Sequence, residues 1–140
     1  MISNGLHSLW EQGPVYADTS PRQQVGSYRG SPPVHSRCAI IPVFDHELAV
    51  PAVVEAVLAA GLPCVLVDDA SSPACAAVLL KLAEKERVYL VTLPVNQGKG
   101  GAVMAGFREA QRLGFSHALQ VDADGQHDLS DIAHFLEASR

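Results

Sequence analysis

Two aspartates, Asp122 and Asp124, directly follow an apolar run that ends at Val121. Side chains on an extended segment alternate between its two sides, so carboxylates two residues apart project to the same side. Such carboxylates repel each other, and a divalent cation removes that repulsion. Mg²⁺ or Mn²⁺ suits the pair, because both prefer oxygen ligands and complete their coordination with water and substrate phosphates. Gln126 adds a carbonyl oxygen to this predicted metal site.

Two other interpretations of this acidic stretch compete with the metal site. An EF-hand loop starting at Asp122 would need glycine at its sixth position and glutamate at its twelfth, where the sequence has His127 and Ala133. A phosphatase of the haloacid dehalogenase type would have Thr or Val where Gln126 stands, and its motif would follow the first strand. The EF-hand is therefore excluded, and the phosphatase remains the less favoured alternative.

A glycine-rich segment, Gly98-Lys99-Gly100-Gly101, precedes a predicted helix from about Ala102 to Leu113. Backbone N–H groups at a helix N-terminus, together with one lysine, suit a pyrophosphate. The segment is not a Walker A loop, because no Ser or Thr follows Lys99, and Val103 occupies the third glycine position of G-x-G-x-x-G. It predicts a phosphate contact through Lys99, with a plain tight turn as the alternative.

Asp68 and Asp69 end another apolar run. A carboxylate there can accept hydrogen bonds from a base N–H or a ribose hydroxyl. Alternatively, Asp69 or Ser71 caps the turn into the next helix. We predict one aspartate for each role. His127 adjoins the acidic pair and is a weaker candidate for a metal or phosphate contact, since an ordinary loop histidine explains it equally well.

Alternating strands and helices from Arg37 onward must position these residues. The predicted strands are 38–43, 63–67, 88–93 and 116–121, and the predicted helices are 50–60, 73–86, 102–113 and one capped by Asp128. Continuous apolar strands with short connections predict an α/β fold, an open and mainly parallel Rossmann-like sheet with helices on both faces. Ligands bind at the carboxyl ends of the strands in such sheets, where the candidate residues lie.

Composition narrows the function classes further. Residues 1–36 are rich in Gly, Pro, Ser and Gln without an apolar period, which predicts a flexible leader. A net charge of −5 offers no basic patch for nucleic acid. Three cysteines without C-x-x-C predict buried free thiols rather than a disulfide framework or a zinc cluster. No apolar run approaches the ~18 residues that cross a bilayer, so we expect a cytoplasmic location, with attachment to the cytoplasmic membrane face left open.

Four segments, in order, resemble motifs of the family 2 glycosyltransferases. They are Ile41 to Glu47 ("PVYNE"), Val67 to Ser72 ("VDDGS"), Asn96 to Ala102 ("NxGKGxA") and Val121 to His127 ("DADGQH"). The last is similar to the branch that includes polyprenyl-phosphate sugar synthases. The match covers residues 38–140. Four motifs at matching spacing are far more specific than any one of them.

This resemblance implies a GT-A fold, a UDP- or GDP-linked sugar donor and a Mg²⁺ or Mn²⁺ ion. The implied site residues are Pro42, Val43, Glu47 and Asp68 for the nucleoside, and Asp122, Asp124 and Gln126 for the metal and diphosphate. The predicted function is metal-dependent, inverting transfer of a sugar to an acceptor, with a lipid phosphate among the candidates.

Two positions depart from the family pattern. Asp45-His46 replaces the usual asparagine after the aromatic residue, and Leu129 stands where the branch often has proline. The family's domain continues well past the position of Arg140, and its acceptor site and general base lie there. We therefore expect residues 37–140 to be the donor-binding part of a truncated domain. A non-catalytic nucleotide-sugar-binding fragment is the alternative function.

Overall fold

A computed structural model describes residues 6–8 and 36–125, together with Ile132, His134, Leu136 and Glu137. The elements in chain order are β1 (Leu6–Ser8), β2 (Arg37–Val43), α1 (Val50–Ala59), β3 (Cys64–Asp68), α2 (Pro73–Leu82), β4 (Val88–Thr92), α3 (Gly98–Leu113) and β5 (His117–Gln120). Each strand and helix that the sequence predicts between residues 37 and 121 is present.

The strands form one five-stranded sheet in the order β1-β5-β2-β3-β4. Strands β5, β2, β3 and β4 run parallel, with Ala39 of β2 opposite both Leu119 and Cys64. The chain moves from β2 outward to β4 and then returns to the other side of β2 to form β5. The strand order therefore reverses between β2 and β5, which is where open α/β sheets bind ligands.

Helices cover both faces of this sheet. On one face, Ile41 and Leu66 belong to a buried cluster with the apolar residues of α1 and α2. On the other face, Ile40 and Val65 belong to a second cluster with the apolar residues of α3. Because alternate strand residues enter different layers, the strands are apolar on both sides. The predicted fold class is confirmed.

Helix α3 approaches the sheet closely at Gly106. A β-carbon at this position would overlap Cγ2 of Ile40 and lie 3.1 Å from Cγ2 of Val67. Only a residue without a side chain therefore lets α3 lie at this depth. The same helix carries Lys99 in its first turn, so the Gly106 contact also sets the height of that side chain above the sheet.

Two helix boundaries differ from the sequence prediction. Helix α3 begins at Gly98 rather than at Ala102, so the glycine-rich segment is its first turn and not a loop before it. Side-chain oxygens of Asp69 and Asn96 accept from the backbone N–H groups of Gln97 and Gly98, which holds the chain at this helix start despite the poor helix propensity of glycine. Helix α2 ends at Leu82 rather than near Glu86, because the chain then forms a tight turn and Arg87 adopts a positive φ of 69° before β4.

Strand β1 was not predicted, since its residues fall in the segment expected to be a flexible leader. Leu6 lies opposite Leu119 in antiparallel pairing with β5. The outer edge of β5 offers unpaired backbone N–H and C=O groups, and even a short extended segment satisfies them. The leader prediction for the rest of residues 1–35, and the proposed cap at Asp128, lie outside the described residues.

The cysteine prediction is confirmed, because Cys38, Cys64 and Cys75 are free and buried. Burial raises the pKa of the Cys64 thiol to about 12 and raises the pKa of Cys38 as well, so both remain protonated at neutral pH. Within the described part of the chain, no helix has the length and apolar character that crossing a membrane requires.

Substitution of Gly106 by alanine is expected to lower the free energy of unfolding by about 1–3 kcal/mol, because the new methyl group overpacks the helix–sheet contact. Gly100→Ala is the matched control, since a β-carbon there meets no atom within 4 Å. Because Gly100 lies in the exposed first turn of α3, alanine there should instead raise the free energy of unfolding by up to about 1 kcal/mol. Denaturant unfolding measures both changes, and equal effects at the two positions would contradict the packing argument.

Candidate functional site

A cleft opens at the carboxyl edge of the sheet, where the ends of β2 and β5 meet the start of α3. It has a volume of about 120 Å³. Its lining residues are Pro42, Val43, Phe44, His46, Asp69, Lys99, Ala102, Asp122, Ala123 and Asp124. The cleft therefore lies at the point where the strand order reverses.

Asp122 and Lys99 form an ion pair across the cleft. The Nζ of Lys99 donates to Oδ1 of Asp122 at 2.6 Å. The Asp122 side chain is only 13% exposed, whereas that of Lys99 is 51% exposed. The backbone N–H of Val121 donates to the carbonyl of Ile40, which extends the β2–β5 pairing to the residue before Asp122. Strand pairing thus fixes the first aspartate of the acidic pair, and Asp124 follows it in an exposed turn.

Asp69 ties three elements of the cleft together. Its backbone N–H donates to the carbonyl of Val43 at the end of β2. Its Oδ1 accepts from the backbone N–H of Gln97 at 2.7 Å, and its carbonyl accepts from Nδ2 of Asn96 at 3.0 Å. The residue is buried, so these bonds are poorly accessible to competing water. Asp69 thereby joins the ends of β2 and β3 to the start of α3.

The turn after β3 is closed by Asp68, and not by Asp69 as the sequence suggested. The Oδ1 of Asp68 accepts from the backbone N–H of Ser71 at 2.8 Å, and Asp68 is not among the residues that line the cleft. Asp69 lines the cleft instead. The predicted contact between Asp68 and the base remains a prediction, while the turn role falls to Asp68 rather than to Asp69.

The loop after β2 is anchored to α2 through Asp45. Its Oδ1 accepts from the backbone N–H of Ser72 at 2.7 Å, and its own N–H donates to Oγ of Ser71. Asp45 adopts a positive φ of 58°, a conformation that aspartate tolerates better than most residues. These bonds hold the β2 loop against the N-terminus of a helix whose dipole favours a negative charge.

A second acidic group, Asp45, Glu47 and Cys75, has potential ligand atoms within 4.8 Å of one another. It lies beside the α2 N-terminus, outside the residues that line the cleft. The Asp45 carboxylate already accepts from the backbone N–H of Ser72 there, and a buried thiol is not a ligand that Mg²⁺ or Mn²⁺ prefers. We therefore keep the predicted Mg²⁺ or Mn²⁺ site at the acidic pair after β5.

The structure brings together most of the site residues that the sequence suggested. Those lining the cleft are Pro42, Val43, Lys99, Asp122 and Asp124. Glu47 and Asp68 do not line it, and Gln126 and His127 lie outside the described residues. Phe44 and His46 were missed, although they continue the alternate spacing from Pro42 past the end of β2. Asp69 was assigned to a turn, and only the fold reveals its reach to Gln97.

Comparison with known proteins gives a family match. The family model described as "Glycosyl transferase family 2" matches residues 38–139. Polyprenol monophosphomannose synthase of Mycolicibacterium smegmatis is 31% identical over 110 residues, which are 76% of this chain and 42% of that protein. Undecaprenyl-phosphate 4-deoxy-4-formamido-L-arabinose transferase of Pectobacterium carotovorum is 35% identical over 106 residues, 70% of this chain and 32% of that protein.

A solved structure supports the fold assignment. The crystal structure of S. aureus TarS is similar with a TM-score of 0.55 and 21% identity, covering 74% of this chain and 32% of that one. At this identity, the likeness concerns the GT-A fold alone. The chain spans less than half the length of the two relatives named above.

Asp69→Ala is expected to lower the free energy of unfolding by about 1–3 kcal/mol, because it removes the acceptor of the Gln97 N–H in a buried position. Asp69→Asn is the matched control, since the asparagine side chain has nearly the same shape and keeps one acceptor oxygen. Its free energy of unfolding should fall by less than that of the alanine variant. Denaturant unfolding and hydrogen exchange of the Gln97 amide measure the effect. Unchanged exchange in the alanine variant would show that Asp69 does not hold the start of α3.

Proposed function

Because this chain belongs to glycosyl transferase family 2, we propose that its cleft binds a nucleotide-diphospho-sugar through a divalent cation, and that the protein transfers the sugar to an acceptor. The observation that carries this proposal is the convergence of Asp122, Asp124 and Lys99 on one cleft at the reversal of strand order. The family match also displaces the phosphatase alternative.

The acidic pair fits Mg²⁺ or Mn²⁺ by the chemistry of its donors. Asp122 is partly shielded and held at a strand end, whereas Asp124 is exposed in the turn that follows. Two carboxylates on an open cleft leave coordination positions for water and for phosphate oxygens, as these cations require. The 2.6 Å bond between Asp122 and Lys99 further shows that this carboxylate attracts a cationic group. When bound, the cation would neutralise charge on the departing nucleoside diphosphate.

Lys99 supplies a second positive charge beside the acidic pair. It belongs to the first turn of α3, where the partial positive charge of the helix dipole favours an anion. Its side chain is half exposed, so it can turn from Asp122 towards a diphosphate when a cation takes its place at the carboxylate. Lys99 and the helix terminus would then orient the diphosphate and stabilise the charge that it gains.

The cleft forms part of a binding site rather than a full enclosure. Its volume of about 120 Å³ lies below the roughly 300–1,000 Å³ of pockets that enclose small ligands. The described residues would therefore support the diphosphate and one side of the nucleoside.

The acceptor and the location belong to the proposal for the whole protein. The relatives are named for polyprenol and undecaprenyl phosphate, so a lipid phosphate is the acceptor that we propose. Such an acceptor would be reached at the cytoplasmic face of a membrane, with the acceptor site and general base supplied by other parts of the domain. Nucleotide-sugar binding without transfer activity is the second candidate function.

Calorimetric titration with UDP and GDP, each with and without Mn²⁺, tests the donor site. We expect Mn²⁺-dependent binding of one nucleotide. Asp124→Ala should weaken it by at least about tenfold, since even outer partners of metal ligands contribute that much to affinity. Glu86→Ala is the control, because it removes an exposed acid at the opposite edge of the sheet. Nucleotide binding that persists in EDTA would refute the metal-bound diphosphate, and turnover with a sugar donor separates transferase from binding fragment.

Lys99→Met should change two affinities in opposite directions. Without nucleotide, loss of the competing ammonium should raise Mn²⁺ affinity by up to about fivefold. This factor corresponds to the free energy of up to about 1 kcal/mol that an exposed ion pair contributes. Affinity for the nucleotide with Mn²⁺ should fall, because the diphosphate loses a cationic partner. Titration of Mn²⁺ by electron paramagnetic resonance measures the first change, and calorimetry the second.

Lys85→Met is the control for the lysine experiment, since Lys85 pairs with Glu55 at 3.1 Å, outside the residues that line the cleft. If Lys99→Met lowered both affinities, Lys99 would support the metal site rather than compete with the cation.

A further inference from the structure

His46 brings to the cleft a polar atom that the metal and diphosphate contacts do not use. It lines the cleft, and its Nδ1 is shielded from solvent without a hydrogen-bond partner among the described residues. Buried polar atoms normally have partners, and an exception calls for a functional explanation. Glu47 Oε1 shares this property within the described part of the chain, but Glu47 does not line the cleft.

The backbone of His46 is fixed on both sides. Its carbonyl accepts from the N–H groups of Ala49 and Val50 at 3.2 and 3.0 Å, at the start of α1. On the preceding side, Asp45 is bonded to Ser72 at the start of α2. The imidazole ring is therefore presented to the cleft from an anchored turn.

Charge divides the cleft into two parts. Lys99 and the acidic pair that would hold the cation lie at the ends of α3 and β5, and the Asp69 carboxylate lies at the end of β3. Strand β2, which leads to Phe44 and His46, lies between β5 and β3. With the proposed cation bound, a diphosphate would be attracted to that cation and to Lys99, and repelled by Asp69. The uncharged nucleoside would then extend towards Phe44 and His46.

We propose that Nδ1 of His46 forms a hydrogen bond with the nucleoside of the donor, which makes His46 a specificity-determining residue; this inference rests on the proposed function. Neutral imidazole offers a donor at one nitrogen and an acceptor at the other, so Nδ1 can serve either a base edge or a ribose hydroxyl according to its tautomer. Phe44, which is 48% exposed, presents an aromatic surface on the same part of the cleft.

Three substitutions of His46 show which ring nitrogen, Nδ1 or Nε2, forms the hydrogen bond with the nucleoside. Asparagine keeps a polar atom close to the position of Nδ1, glutamine keeps one close to Nε2, and alanine keeps neither. Each variant is titrated, with Mn²⁺ present, against UDP or GDP, whichever the parent chain binds, and separately against pyrophosphate. We expect His46→Ala and His46→Gln to weaken nucleotide binding about three- to tenfold, the equivalent of one hydrogen bond, while His46→Asn retains most of it. Pyrophosphate binding should be unchanged in all three.

The controls separate this inference from the proposed function. Unfolding midpoints are compared first, and since Nδ1 has no partner in the described structure, its removal should not lower them. Nucleotide affinity that is unchanged in His46→Ala, or that falls equally with pyrophosphate affinity, would overturn the role of His46 alone. A parent chain that binds pyrophosphate but neither nucleotide would also overturn it, whereas a parent chain that binds none of these would overturn the proposed function itself.

Discussion

The parallel pairing of β2 with a neighbour on each side is the constraint on which the cleft depends. Because β5, β2, β3 and β4 run in one direction, every loop that follows them emerges at the same edge of the sheet. The reversal of strand order beside β2 then separates the helices, with α1 and α2 on one face and α3 on the other. A gap opens between the loop after β2 and the first turn of α3, and the residues after β5 close its side.

The chain stabilises this edge with carboxylates, of which Asp68 and Asp69 are buried and Asp45 is exposed. Asp68 closes its own turn, and Asp69 joins the β3 end to Gln97. Asp45 joins the β2 loop to α2. Strand-end loops otherwise lack the regular bonding of a sheet, so these carboxylates replace it. The acids at this edge therefore divide into two groups: some hold the loops together, and the pair after β5 lines the cleft.

Much of this arrangement could be predicted from the sequence, because it rests on local patterns. Continuous apolar runs gave the strands, and the acidic and glycine-rich segments at their ends gave most of the cleft. Prediction failed where a tertiary contact decided the outcome. Helix α3 starts inside the glycine-rich segment, where Asp69 accepts from the N–H of Gln97, and β1 forms because the edge of β5 accepts it. Asp69 accepts from the backbone N–H of Gln97, 28 positions away in the sequence, and no local pattern indicates that contact. His46 was overlooked because a single histidine after a strand is also explained as an ordinary loop residue.

The close packing of α3 on the sheet also links positions 40 and 106, which are distant in the chain. A β-carbon at position 106 would occupy the space that Cγ2 of Ile40 now fills. The side chains at positions 40 and 106 therefore share one limited volume. Among related sequences, a larger residue at 106 would require a smaller one at 40, and the two positions should change together. The depth at which α3 lies on the sheet would then change through paired substitutions at positions 40 and 106.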